Sequence, residues 1–450
     1  MAEPARGGGA LEIWASPEPT VARIDPRTWR DQAAETGWSA RPADVDRIAD
    51  LGVGACRFPV LWEHVAPQVP AERDFRAARA GVERLRARGV APIVTLLHHG
   101  SGPHYTDLLD PAFPHLFADY AAAAVRALPE VERWTPINEP LTTARFSTLY
   151  GVWYPNRSDD PAFGRALVHQ TLATLYAMER IRSVRPDAQL VVTEDLQRFT
   201  AADAGVAPYV AFLRERSMLS IELLCGRVRT GHALYDFLVE RCAVSEGELA
   251  TIAAHAVAPD LVAFNHYPHS ERYLWSRDDA LAGDVPAVYV AGEPMPAAGP
   301  LLRAAAARLA LPLALGEVHV DAPALERIRW LAQHAADVRA LRADGVDVRA
   351  LGVWAAFGMI DWHSLLRARA GAAEDGIYTF AGPGGTPQPT ALAAAVRALA
   401  RGERIDDGGV RGWWERAERL RTPAQLAAMG AAGLPEGHHV RAAASPPAFA

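Results

Sequence analysis

Short, continuously apolar runs alternate along the chain with longer stretches whose apolar residues recur at helical spacing, and the alternation repeats eight times. The runs are LEIWAS (11–16), GACRFPV (54–60), APIVTLLHH (91–99), VERWTPI (131–137), AQLVVTE (188–194), LVAFNHY (261–267), LPLALGE (311–317) and VRALGVWAAF (348–357). Unbroken apolar character suits strands covered on both faces, as a parallel sheet requires. Between them lie amphipathic segments, among them 75–89, 115–128, 163–184, 325–342 and 390–401. Eight βα units with no break in composition predict one (β/α)8 barrel, a TIM barrel, over residues 1–402. A doubly wound sheet is the competing arrangement, but no glycine-rich phosphate loop follows the first run.

Loops near 138–162, 268–297 and 358–389 follow the C-terminal ends of strands, where barrel enzymes build their sites. Residues 403–450 read as an extension, with a helix pair around 411–430 and a disordered tail at 438–450. Half of the 450 residues are apolar, the formal net charge is −7, and all 46 basic residues are arginine. The acidic balance argues against a general nucleic-acid binder. Cys56, Cys225 and Cys242 are odd in number and widely spaced, so they indicate neither a disulfide framework nor a zinc module. The opening MAEPARGGGA lacks the apolar core of a signal peptide, and no run is long enough to span a bilayer. The expectation is a cytoplasmic protein with no membrane partner.

The polar residues at the strand ends carry the chemistry. The second strand offers Arg57, the third His98 and His99, and the fourth Asn138 and Glu139. The fifth ends in Glu194 and Asp195, the sixth holds Asn265 and Tyr267, and the seventh Glu317. The eighth ends near Trp354, with Asp361 and Trp362 on the loop beyond. Taken singly, each has a plain structural reading: a strand-end glutamate is commonly solvated, and a tryptophan commonly packs. Together they give two carboxylates facing across one mouth, with flat apolar rings beside them. Glycoside hydrolysis needs such a pair, one group to protonate the leaving oxygen and one to meet the developing positive carbon.

The order of motifs resembles the family 1 glycoside hydrolases, the β-glucosidase-like retaining enzymes, over roughly residues 10–400. The resemblance is carried by RFPVLWEHVAP (57–67), VTLLHH (94–99), TPINEP (135–140), YGVWYP (150–155), LVHQTLATLYAMERIR (167–182), FNHY (264–267) and VWAAFGMIDW (353–362), closed by DGIYTF and GTPQPT within 375–390. It implies Glu139 as general acid/base and Glu317 as nucleophile of a double displacement on a small glycoside, without cofactor or metal. It further implies that Asn138 holds the sugar 2-hydroxyl. Arg57 and Tyr267 would bind the nucleophile, with Asn265 nearby. His98 would meet ring hydroxyls, Trp354 would floor the subsite, and Asp361 and Trp362 would read the far hydroxyls.

Four positions depart from the family's pattern. The nucleophile lies in Gly316-Glu317-Val318-His319 and not in Thr-Glu-Asn-Gly, and His99 replaces a tryptophan. The first strand lacks the family's glutamine and offers Glu18 or Thr20, while a strand-eight glutamate is shortened to Asp361. These changes imply a sugar other than plain glucose or galactose. Four alternatives remain: Glu194 as the second carboxylate, a glycosidase of another family sharing the strand-four and strand-seven glutamates, a non-catalytic sugar-binding or regulatory barrel, and a metal-dependent hydrolase using His98, His99, His104 and His319. The last is weakened because the first strand has no His-x-His pair and the chain has no lysine to bridge metals.

Overall fold

A computed structural model describes residues 9–201, 204–274, 298–410 and 412–415. All eight apolar runs form strands: β1 (Glu12–Ser16), β2 (Ala55–Pro59), β3 (Ala91–His98), β4 (Arg133–Asn138), β5 (Gln189–Asp195), β6 (Leu261–His266), β7 (Leu313–Val318) and β8 (Val348–Trp354). Strands adjacent in sequence pair in parallel, and β8 returns to β1, so the sheet closes into a barrel without edges. The expected (β/α)8 architecture is the observed one, and the doubly wound sheet is excluded.

The amphipathic segments become the outer ring, including Arg76–Ala87, Phe113–Ala127, Asp160–Val184, Ala324–Ala343 and Ala391–Ala400. Local chemistry fixes their ends. Asp159 precedes the long helix and accepts from the amide of Ala162 at 2.8 Å, satisfying one of its orphan donors. The same helix stops where Pro186 disfavours helical backbone at Arg185. Apolar faces of ring and strands meet in one continuous core.

Inside the barrel, Trp14, Ile93, Val191 and Leu261 fill the lower space with four alanines, 55, 263, 314 and 350. The Trp14 indole donates to Glu12 at 2.6 Å, and Arg133 grips the same carboxylate at 2.6 and 3.0 Å. That packed floor leaves the opposite, C-terminal mouth as the place for chemistry. Three short ribbons rise from loops at that mouth: Val21–Arg23 with Trp29–Asp31, Arg198–Ala201 with Glu271–Leu274, and Met359–Ile360 with Ala373–Glu374. Beyond the barrel, Trp414 is buried edge-on against Trp330 and donates to Gln333 at 2.5 Å. Except for residues 412–415, the expected helix pair and tail lie outside the described residues, as does most of the loop near 268–297.

Candidate active site

Strand register brings the polar ends together. His98 pairs with Asn138 and Asn138 with Thr193, while Asp195 pairs with Asn265 and Asn265 with Glu317. The register shifts once between Trp134 and Asn138, and once between Leu315 and Glu317. Such irregularities re-aim side chains, and both fall at the functional ends of their strands.

Glu317 is buried, with 2% of its surface exposed. Arg57 donates to its Oε1 and the Tyr267 hydroxyl to its Oε2. The other arm of Arg57 donates to Oδ1 of Asn138, which also accepts from the Thr193 hydroxyl at 2.8 Å. Asn138 turns its amide nitrogen toward Nε2 of His98 at 3.2 Å. A single guanidinium therefore orients both Glu317 and Asn138. The glycine before Glu317 has a local reason: a Cβ at Gly316 would stand 2.9 Å from Oδ1 of Asn265 and 3.2 Å from the carbonyl of Ala263.

Glu139 lies at the head of the short helix Pro140–Ala144, with φ 45° and ψ 60°. His99 also holds a left-handed backbone, φ 57°. Non-glycine residues in that region cost about 1–3 kcal/mol each, a cost found mostly where geometry serves a site. The Glu139 carboxyl is buried, accepts from Asn265 Nδ2 at 2.6 Å, and lies 3.7 Å from His99 Nε2. Burial, then the charge of Glu317 and those of Asp195 and Glu194, hold Glu139 well above the ordinary carboxylate range, while the Asn265 bond pulls the other way. Burial also keeps both histidines neutral: His98 is pushed well below its usual value, and His99 down to about 3 with Arg57 adding to the effect.

The remaining candidates divide. Trp354 stands edge-on to Tyr267 at 5.6 Å, to His319 at 5.2 Å and to Trp362 at 6.2 Å. Its indole donates at 3.1 Å to Glu18, which also accepts from the Thr20 amide at 2.8 Å and lies 3.9 Å from His98. Of the two groups offered for the missing glutamine, Glu18 thus reaches the cluster, and burial raises its pKa to about 8. Asp361 is committed elsewhere: one oxygen accepts from Arg30 at 2.9 Å and the other from the Ala372 amide at 2.9 Å. Glu194 accepts from the Leu141 amide at 2.7 Å and from Ser220 at 2.8 Å, so it supports the helix behind Glu139. Burial raises it to about 7.

Two neighbours carry no role in the sequence reading. Thr193 accepts the Glu139 amide through its carbonyl at 3.2 Å and holds Asn138 through its hydroxyl. Trp153, inside YGVWYP, packs 5.4 Å from His99 and 6.3 Å from Trp362. The quoted motif contains the signal for Trp153. For Thr193 the signal is its place in the final residues of β5.

Fold and site together define a (β/α)8 barrel with two buried carboxyl groups gathered at its C-terminal mouth. The model of glycosyl hydrolase family 1 matches residues 6–271, more than half of the sequence, and the chain belongs to that family. Beta-glucosidase 42 of Arabidopsis thaliana is 29% identical over 157 residues, 32% of this chain and 32% of that protein. Beta-glucosidase A of Thermotoga maritima is 26% identical over 199 residues, 42% of this chain and 43% of that protein. The chain spans less than half the length of these curated relatives. A solved family 1 β-glucosidase from Thermotoga maritima superposes with a TM-score of 0.70 at 16% identity, covering 89% of this chain and 100% of that one, a likeness of fold.

Proposed function

We propose that the protein is a retaining glycosidase acting on a small β-glycoside, with Glu317 as nucleophile and Glu139 as general acid/base. The observation that carries this reading is the unequal setting of two buried carboxyl groups. Glu317 receives two donors, one a fixed cation, which favours a carboxylate aimed at carbon. Glu139 has one amide donor and a pKa held high by burial and by Glu317, which favours a proton ready for the leaving oxygen. When Glu317 takes the glycosyl group its charge disappears. Glu139 then releases its proton more readily and draws one from the incoming water. Asn138, fixed by Arg57 and Thr193, offers an amide donor to a sugar hydroxyl beside Glu317.

The sugar-reading side supports a substrate other than plain glucose or galactose. Glu18 presents a carboxyl where an amide would both donate and accept, and His99 stands beside Glu139 in place of a larger ring. A solved Thermotoga maritima β-glucosidase of the same fold (TM-score 0.68, 16% identity) is in complex with deoxynojirimycin, which supports a monosaccharide-sized ligand at this mouth. The test is a panel of 4-nitrophenyl β-glycosides, with the anomer first formed from the best substrate followed by proton NMR. Release of the β-anomer is expected. Release of the α-anomer, or no turnover of any glycoside, would overturn the reading.

A further inference from the structure

Glu18 follows β1 at the C-terminal mouth, just past Ser16, the register partner of Trp354, and is 3% exposed. Its Oε1 accepts from the Thr20 amide at 2.8 Å and its Oε2 from the Trp354 indole at 3.1 Å. Neither donor is charged, and a carboxylate offers about four acceptor positions. Among the described residues, the one basic side chain within ion-pair distance is His98, at 3.9 Å, and burial keeps that ring neutral. A buried glutamate is ordinarily paired with a cation. Glu317 has Arg57 in that role, whereas Glu18 has no counterpart among the described residues. Burial raises its pKa to about 8, the Thr20 bonds pull it down, and the charge of Glu317 adds to the rise.

A closed circuit of contacts joins Glu18 to the reaction centre. Arg57 holds Glu317 with one arm and Asn138 with the other. Asn138 reaches His98 at 3.2 Å, His98 faces Glu18, and Glu18 holds Trp354. Trp354 stands edge-on to Tyr267 at 5.6 Å, and Tyr267 returns to Glu317. Tyr267, together with Trp362 beside Trp354, is only half-buried, so the circuit borders solvent. A nucleophile aimed at C1 sets the numbering of the sugar it meets. Asn138, tied to Glu317 through one guanidinium, then lies beside C2. In the same direction come His98 and Glu18, where a pyranose carries its C3 and C4 substituents. Among the described residues no three metal-ligating side chains converge, so the cation that complements Glu18 is sought on the sugar. An ammonium supplies the charge, and its N–H groups suit the acceptor positions that Thr20 and Trp354 leave open.

We propose that Glu18 selects the sugar, and that the substrates are β-glycosides of amino sugars with a basic amine at C3 or C4. This rests on the glycosidase reading and names its substrate class. The test compares kcat/KM for 4-nitrophenyl β-glycosides of 3-amino-3-deoxy and 4-amino-4-deoxy sugars with those of the parent sugars, in the gluco and galacto configurations. The 2-amino-2-deoxy sugars serve as the positional control. Wild type and Glu18→Gln are measured at pH 8, where Glu18 gives up its proton. In the wild type, one of the two amines is expected to exceed its parent by about tenfold or more. Glu18→Gln keeps the shape and removes the charge, so it should bring that ratio to one or below. A second readout needs no variant. Between about pH 8 and about pH 5 the wild-type ratio should fall toward one, because Glu18 regains its proton while the amine stays charged.

Any ratio above one that Glu18→Gln abolishes supports the proposal. A wild-type ratio at or below one for both amines, a ratio unmoved by Glu18→Gln, or a preference for the C2 amine over the other two overturns it while the glycosidase reading stands. If no glycoside turns over, the glycosidase reading has failed. The amine site is then judged by calorimetric binding of the methyl 3-amino-3-deoxy and 4-amino-4-deoxy β-glucosides to wild type and to Glu18→Gln. Binding weakened about tenfold or more in the variant keeps the site. Equal binding by both proteins, or no binding to the wild type, removes it.

Discussion

Asn265 donates its amide hydrogen to Glu139 at 2.6 Å from the strand position paired in register with Glu317. The strand neighbour of Glu317 thus favours the ionised form of Glu139 against burial and the neighbouring charge. The balance it sets can be moved experimentally in either direction.

Replacing Asn265 by Ala removes a bond to the charged form, so the pKa of Glu139 rises further. A general acid works while protonated and fails as pH rises through its pKa. The alkaline limb of kcat/KM should therefore move upward in Asn265→Ala, by roughly one pH unit. A limb that moves down, or stays fixed, would remove Asn265 from control of the acid.

Glu139→Gln keeps the shape and removes the proton. Glycosides of poor leaving groups should lose about 10²–10⁴ in rate. Those of 4-nitrophenol, whose leaving oxygen needs little help, should lose much less in the first step, and the alkaline limb should vanish. Equal losses for good and poor leaving groups would argue that Glu139 does not donate the proton. Glu317→Gln should abolish turnover with every leaving group, while leaving affinity for a sugar analogue measurable by calorimetry.

Glu18 is a buried acid whose pKa is raised by burial from 4.5 to about 8. Its folded value exceeds its unfolded one, so its contribution to stability is fully present below pH 4.5 and is lost as pH rises through about 8. Glu18→Gln should flatten this dependence. At pH 8 the variant should be the more stable, on the order of 1–3 kcal/mol, with little difference at pH 4. Denaturant titrations at the two pH values decide it, and parallel curves for both proteins would refute the assignment.

Asp361 and Arg30 form a buried ion pair at 2.9 Å, each with about 2% of its side chain exposed. Arg30 also holds Glu35 at 2.6 Å and the carbonyls of Leu366 and Ala368, so it stays paired when Asp361 is neutralised. Asp361→Asn should cost about 1–3 kcal/mol, the loss of one buried charge-assisted bond. If Asp361 instead met the sugar directly, its loss would raise KM with little change in Tm.

The barrel was legible because its strands are covered on both faces. LEIWAS, GACRFPV and the other six runs show no wet alternation, and each became a strand of the closed sheet. The gathering of Arg57, Asn138, Glu139, Asn265, Tyr267 and Glu317 followed from their places at strand ends. What could not be read depends on long-range partners. Asp361 meets Arg30 from 331 positions away, and nothing local to either residue signals the other. Glu18 lies in a loop without periodicity, so its approach to Trp354 emerges only in space. Gly316 looked like a lost threonine in sequence, whereas in the structure the Asn265 amide occupies the space beside it.

The two-armed grip of Arg57 has a consequence for how such a chain can diverge. Its guanidinium ties Asn138 to Glu317, so those two groups move as a unit and neither can be retuned alone. Glu18 and His99 hang from other supports, Trp354 and Thr143. Exchanges at the rim therefore leave the centre in register, and the outer contacts can drift across generations while the inner grouping is inherited whole.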